Sequence, residues 1–143
     1  MREHSFGIIP IFKDNDNYQV LLLRSKKYGH WMFPKGRGET GEDSTTAAKR
    51  EFEEETGIKD YFVIRDLELN ESWDFERDGQ KISKTVKYYL GFVRDKKVKP
   101  QAEEVTDYRW VDLAEAEKLI KFENKKEVLR QVGRYLAGIS LPD

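Results

Sequence analysis

No cysteine occurs among the 143 residues, which excludes a disulfide framework and any thiolate zinc centre and fits a reducing compartment. Histidine is scarce: His4 and His30 are the only two. Isolated from each other, they read as surface or packing residues and make a poor metal site. The chain also lacks charge of one sign, with 26 basic and 27 acidic residues and a net charge of -1. A general nucleic-acid coat needs a basic excess to neutralise phosphates, so no stable nucleic-acid partner is expected. No apolar run approaches the roughly 20 residues that span a bilayer, and the opening MREHSFGIIPIF does not have a signal-peptide layout. The expectation is a cytoplasmic protein, without membrane attachment and with a monomer favoured. Repeats, linkers and low-complexity segments are missing as well. Residues 1–143 therefore read as one domain, long enough to bury a core without metal or disulfide staples.

What is present is an alternation of branched apolar runs and charged stretches. SFGIIPIF and YQVLLLRS, separated by the turn-forming KDNDN, read as two strands joined by a loop. From about Asp43 to Thr56 the pattern is helical, with Asp43 or Ser44 able to cap the start and Gly57 the end. YFVIRDLEL and KTVKYYLGFV are further strands, with DFERDGQKIS between them as a hairpin or loop. DYRWVDL is another strand, after a polar loop from Pro100 to Thr106. LAEAEKLIKF and KEVLRQVGRYLAG are helical. Strands interleaved with a few helices predict an α/β fold, an α/β/α sandwich around a central mixed sheet.

The helix over 43–56 carries an unusual load. Glu54 and Glu55 lie three and four positions after Glu51 and so share its face, where like charges repel. Glu53 falls on the far side, as a solvated residue would. Ala47 and Ala48 are small enough to let a backbone segment pass close by, and Phe52 anchors the flank in the core. Clustered carboxylates suit Mg²⁺ or Mn²⁺, hard cations that take oxygen ligands and substrate phosphates. An ordinary acidic helix face is the plainer reading. The preceding PKGRGETGE, however, puts Gly36, Gly38 and Gly41 just before the helix, where exposed backbone groups can approach a phosphate or a metal.

Gly36, five residues, Glu42, seven residues and then REFEEETGI over 50–58 resembles a complete Nudix box, every fixed position filled. The resemblance implies hydrolysis of a nucleoside diphosphate linked to a further group, with a divalent metal bound on the box. By that resemblance Glu51, Glu54 and Glu55 are metal ligands, joined by a backbone carbonyl at Lys35 or Gly36. Glu42 and Arg50 would brace loop and helix close to the catalytic groups. The general base stays open among Glu54, Glu55 and a glutamate outside the box. Glu104 is the outside candidate, for base or metal ligand, with Glu103 beside it.

Outside the box, HWMFPKG, SKTVKYYLGFV and EVTDYRWVDLAEAEKL resemble the branch of asymmetrical diadenosine tetraphosphate hydrolases, from Phe6 to about Leu136. That branch implies Lys35 and Lys84 on the polyphosphate, Tyr88 stacked on an adenine and Phe122 as a second aromatic stacker. Core packing is the competing reading for Tyr88, and a helix end for Phe122. Arg37 stands where the branch usually has histidine, and an arginine there can meet phosphate bidentately. The implied substrate is a dinucleoside polyphosphate such as diadenosine tetraphosphate. RNA 5′ ends, longer dinucleoside polyphosphates and inositol pyrophosphates are alternatives with the same chemistry. A non-catalytic nucleotide-binding module is the alternative of another class.

Overall fold

In the computed structural model, which describes residues 1–139, the elements run β1 (Arg2–Asp14), β2 (Asn17–Ser25), β3 (Trp31–Met32), β4 (Lys35–Arg37) and α1 (Ser44–Thr56), then β5 (Tyr61–Arg77), β6 (Gln80–Val93), β7 (Val105–Asp112), α2 (Leu113–Leu119) and α3 (Glu123–Ala137). The main sheet path is β3-β2-β1-β6-β5, with β4 paired to β1 and β7 to β2. β1 and β6 are parallel and the other pairings antiparallel, so the sheet is mixed, as the sequence predicts.

Ile8 and Ile9 are neighbours in β1, and both are fully buried because both faces of the sheet are covered. Ile8, Leu21 and Leu23 pack with Phe52 of α1, whereas Ile9, Ile11 and Leu22 pack with Val128, Leu129 and Val132 of α3. Burying a side chain the size of Phe52 contributes about 2 kcal/mol. One strand thus divides two cores, with the acidic helix on one side and the C-terminal helix on the other.

The segment DFERDGQKIS is neither loose nor short. β5 runs to Arg77 and β6 begins at Gln80, joined through Asp78 (φ 54°) and Gly79 (φ 77°). Two positive φ angles in succession define the tight turn whose twist matches paired strands. The register of β5 on β6 shifts between Ile64 and Leu69. None of the helices among the described residues is long and apolar enough to cross a membrane.

Candidate active site

The local sequence builds α1 as expected. The Asp43 side chain accepts from the Thr46 N–H at 2.8 Å, and Gly57 closes the helix in the left-handed region (φ 72°), its N–H donating to the Glu53 carbonyl. Arg50 ties helix to loop. Its Nε and Nη2 donate to the two oxygens of Glu42 at 2.7 and 3.1 Å, and Nη2 also reaches the Arg37 carbonyl at 3.0 Å. Such a fork fixes both partners. Nη1 holds Glu51 at 2.9 Å and both Glu54 oxygens at 3.4 Å.

Glu51 and Glu55 turn inward and Glu54 outward. Glu55 is 1% exposed and accepts the Lys35 N–H at 3.1 Å. Burial pushes its carboxyl up to about 8, and the charges of Glu51 and Glu104 add to the rise. Burial also raises Glu51, against the pull of Arg50, with further repulsion from Glu54 and Glu104. Glu104, far along the chain, is therefore brought close enough for both box glutamates to feel its charge. Glu54 is half exposed and lines an open depression of about 580 Å³ with Arg50 and Lys49. The Glu51 carboxylate lies against the Gly36 backbone so closely that any side chain there would overlap it.

Among the described residues no three His, Cys, Asp or Glu side chains converge as a ready-made metal cluster. The reason is local, because Arg50 engages Glu51 and Glu54 while Glu55 bonds to the backbone of Lys35. The donor set nonetheless suits a hard divalent cation. It is made only of oxygens, and the two inward carboxylates are held at raised proton affinity by burial and by neighbouring negative charges. Glu53, read as solvated, is instead half-buried and accepts from the Tyr61 hydroxyl at 2.8 Å.

Lys35 links this helix to the other side of the sheet. Its N–H meets Glu55 while its side chain enters a cavity of about 420 Å³. Trp31, Trp73 and Phe75 wall the cavity together with Lys84 and Phe122, and Glu71 and Lys125 lie at its base. Phe122 is 47% exposed, with the His30 ring edge-on at 4.9 Å and Tyr28 stacked beyond it. Burial brings the Lys35 ammonium down to about 8, helped by the positive charges of Lys84 and Lys125. The lysine side chains and aromatic rings form a concave surface suited to a flat ring bearing an anionic chain.

Tyr88 requires a correction. Its ring is fully buried, edge-on to Phe33, and its hydroxyl donates to Glu71 at 2.9 Å. No face is left for an adenine, so it supports the cavity from below. His30, Trp31, Trp73, Glu71 and Lys125 line the cavity and were not singled out from sequence as site residues. Arg37 does not line the cavity itself but lies on the same sheet face, paired with Glu3 at 3.2 Å.

Comparison with known proteins places the family and the fold. Residues 1–132 match the model of the NUDIX domain. A rat protein named bis(5′-nucleosyl)-tetraphosphatase [asymmetrical] is 36% identical over 129 residues, covering 87% of this chain and 85% of the relative. An RNA pyrophosphohydrolase of Pelagibacter ubique is 30% identical over 118 residues, 75% of this chain and 74% of its own. The crystal structure of a C. elegans Ap4A hydrolase binary complex superposes with a TM-score of 0.83 at 28% identity, covering 96% of this chain and 99% of that one. With its intact box on α1, the chain belongs to the Nudix family and is a Nudix hydrolase.

Proposed function

We propose that this Nudix hydrolase cleaves diadenosine tetraphosphate asymmetrically, to ATP and AMP, with Mg²⁺ as cofactor and Mn²⁺ as a substitute. The observation that carries the reading is the junction at Lys35, where one residue joins the carboxylate helix to an aromatic, lysine-lined cavity. The rat relative's name supports the same substrate.

In this reading Glu51, Glu54, Glu55 and Glu104 hold the metal together with the backbone carbonyl at Gly36. Bound there, the metal would neutralise phosphate charge and lower the pKa of the attacking water. Arg50 orients Glu51 and Glu54 through its anchor on Glu42. The proton of the attacking water goes to one of Glu54, Glu55 and Glu104. Lys35, Lys84 and Arg37 bind the phosphate chain, and the exposed Phe122 ring stacks on one base. The reading takes the working enzyme to be a cytoplasmic monomer, the compartment being supported by the absence of cysteine.

Triphosphorylated RNA is the second reading, favoured by the Pelagibacter relative. Hydrolysis in ¹⁸O-labelled water separates the two. Labelled ATP or AMP from diadenosine tetraphosphate, at a higher kcat/KM than for RNA ends, is the expected result. A preference for RNA, or tight nucleotide binding without cleavage, would replace the reading.

A further inference from the structure

Glu3, near the start of β1, is an acidic residue set among cations. Its side chain is 10% exposed, and its Oε2 pairs with both Arg77 at 2.5 Å and Arg37 at 3.2 Å. Its Oε1 is buried without a hydrogen-bond partner among the described residues. The register explains the gathering. Glu3 stands opposite Lys84, Lys84 opposite Trp73, and Ser5 opposite Arg37. Since strand side chains alternate, Glu3, Arg37, Lys84 and residues 73, 75 and 77 share one face, the face that carries the cavity.

One carboxylate does not neutralise this group. Glu3 contributes one negative charge against Arg37, Arg77 and Lys84, leaving an excess of positive charge at the cavity rim. Lys84 feels all of them: burial lowers its proton affinity first, Glu3 opposes that, and Arg37 and Arg77 lower it further. The Arg37 and Arg77 side chains are 66% and 46% exposed. The Arg77 guanidinium also lies 5.8 Å from the centre of the Phe75 ring, which walls the cavity. Arg37 follows Gly36, and its carbonyl is bonded by Arg50, so the rim is continuous with the carboxylate helix.

We propose that Arg37 and Arg77, drawn together by Glu3, form an anion subsite at the rim of the cavity for the outer phosphates of a dinucleoside polyphosphate. The inference rests on the nucleotide reading above and deepens it, by making the enzyme select for the length of the phosphate chain. Arg77 lies outside the Nudix box and the cavity lining, and Glu3 acts as a positioning residue. Each guanidinium meets Glu3 through Nη2 at the one oxygen Oε2, and the planar fork carries further N–H groups that fit phosphate oxygens.

Two measurements test it. The first is calorimetric titration of the metal-free protein with inorganic tripolyphosphate, a probe without base or ribose. Arg37→Gln and Arg77→Gln should each weaken binding by about tenfold, the scale of one charge-assisted hydrogen bond. Arg77→Lys should recover part of the loss. Unchanged affinity in Arg77→Gln, with the melting temperature retained, would overturn the subsite. The second is kcat/KM across diadenosine polyphosphates from tri- to hexaphosphate. Arg77→Gln should reduce turnover of the long chains and leave the triphosphate nearly untouched. An equal loss at every length, or a loss confined to triphosphorylated RNA, would also overturn it. If the wild type cleaves no dinucleoside polyphosphate while tripolyphosphate binding still depends on Arg77, the proposed substrate fails and the anion subsite stands.

Discussion

Lys125 and Glu71 form a buried ion pair across the base of the cavity, with Nζ 2.9 and 3.0 Å from the two carboxylate oxygens. They are 6% and 4% exposed. The Tyr88 hydroxyl completes the carboxylate's shell, and Asn124 beside the lysine donates to the Ser72 carbonyl at 2.8 Å. The pair therefore fastens the start of α3, and with it Phe122, to β5.

Removing one partner leaves a buried charge without its counterion. Lys125→Met should cost about 3–5 kcal/mol of unfolding free energy. Lys125→Met combined with Glu71→Gln should recover much of that loss, because no charge is then stranded. Urea unfolding of the single and double variants measures both. Equal losses in the two would mean that packing, not charge, sets the cost.

Gly36 and Gly7 make a contrasting pair. A methyl group on Gly36 would overlap the Glu51 carboxylate, the free end of a flexible side chain. Gly36→Ala should fold with little change in melting temperature and lose about 100-fold or more in kcat, since displacing the proposed ligand Glu51 by about 1 Å is costly to catalysis. A methyl on Gly7 would meet the Pro34 carbonyl, which is backbone. Gly7→Ala should therefore lose stability, by about 1–3 kcal/mol. A Gly36→Ala enzyme with near-normal kcat would show that Glu51 need not stay where it is.

Glu54 is half exposed, and its contacts with Arg50 are long. Glu54→Gln should leave the circular dichroism and melting curve intact while turnover falls by several powers of ten, beyond the about 10²–10⁴ of a lost general base alone. Near-normal turnover would take Glu54 out of the reaction.

The metal-free protein should lose stability as pH rises from about 5 to about 8. Glu55 titrates near 8 when folded, above its ordinary 4.5. Between those values the folded state holds a proton that the unfolded chain has released, so the unfolding free energy falls with pH. Lys35 acts in the opposite sense above about 8. Its folded value lies below the ordinary 10.5, so the penalty of burying its charge is relieved as it deprotonates. Melting temperatures in EDTA should pass through a minimum near pH 8, and millimolar Mg²⁺ should remove the loss below it. A flat profile in EDTA would contradict a raised proton affinity of the buried Glu55 carboxyl.

How far the sequence could be read followed how local each signal was. α1 was legible because its cap, its glycine stop and its closely spaced glutamates all lie within one short stretch, although Glu54 turns outward while Glu51 and Glu55 turn inward. The mixed sheet between helices followed from the apolar runs. Strands β3 and β4 are two and three residues long, too short for any periodicity to show. The polar DFERDGQKIS is compatible with either a hairpin or a loop at the ends of β5 and β6, although Asp78-Gly79 is a hairpin turn signal. For Tyr88 the resemblance implies stacking and the alternation with Val86, Leu90 and Phe92 allows core packing; its full burial decides for the core, since alternation alone does not say how deeply a strand face is covered. Glu71 and Lys125 are 54 positions apart, so their pairing exists only in the fold. Glu53 found its partner Tyr61 across the end of α1, a contact no helical periodicity would reveal.

The central claim is that the carboxylates on α1 hold a divalent cation, and Mn²⁺ titration followed by electron paramagnetic resonance tests it without turnover. The wild type should bind Mn²⁺, with the free-ion signal reappearing in Glu51→Gln and Glu55→Gln variants that remain folded. Undiminished Mn²⁺ binding in both variants would contradict the account.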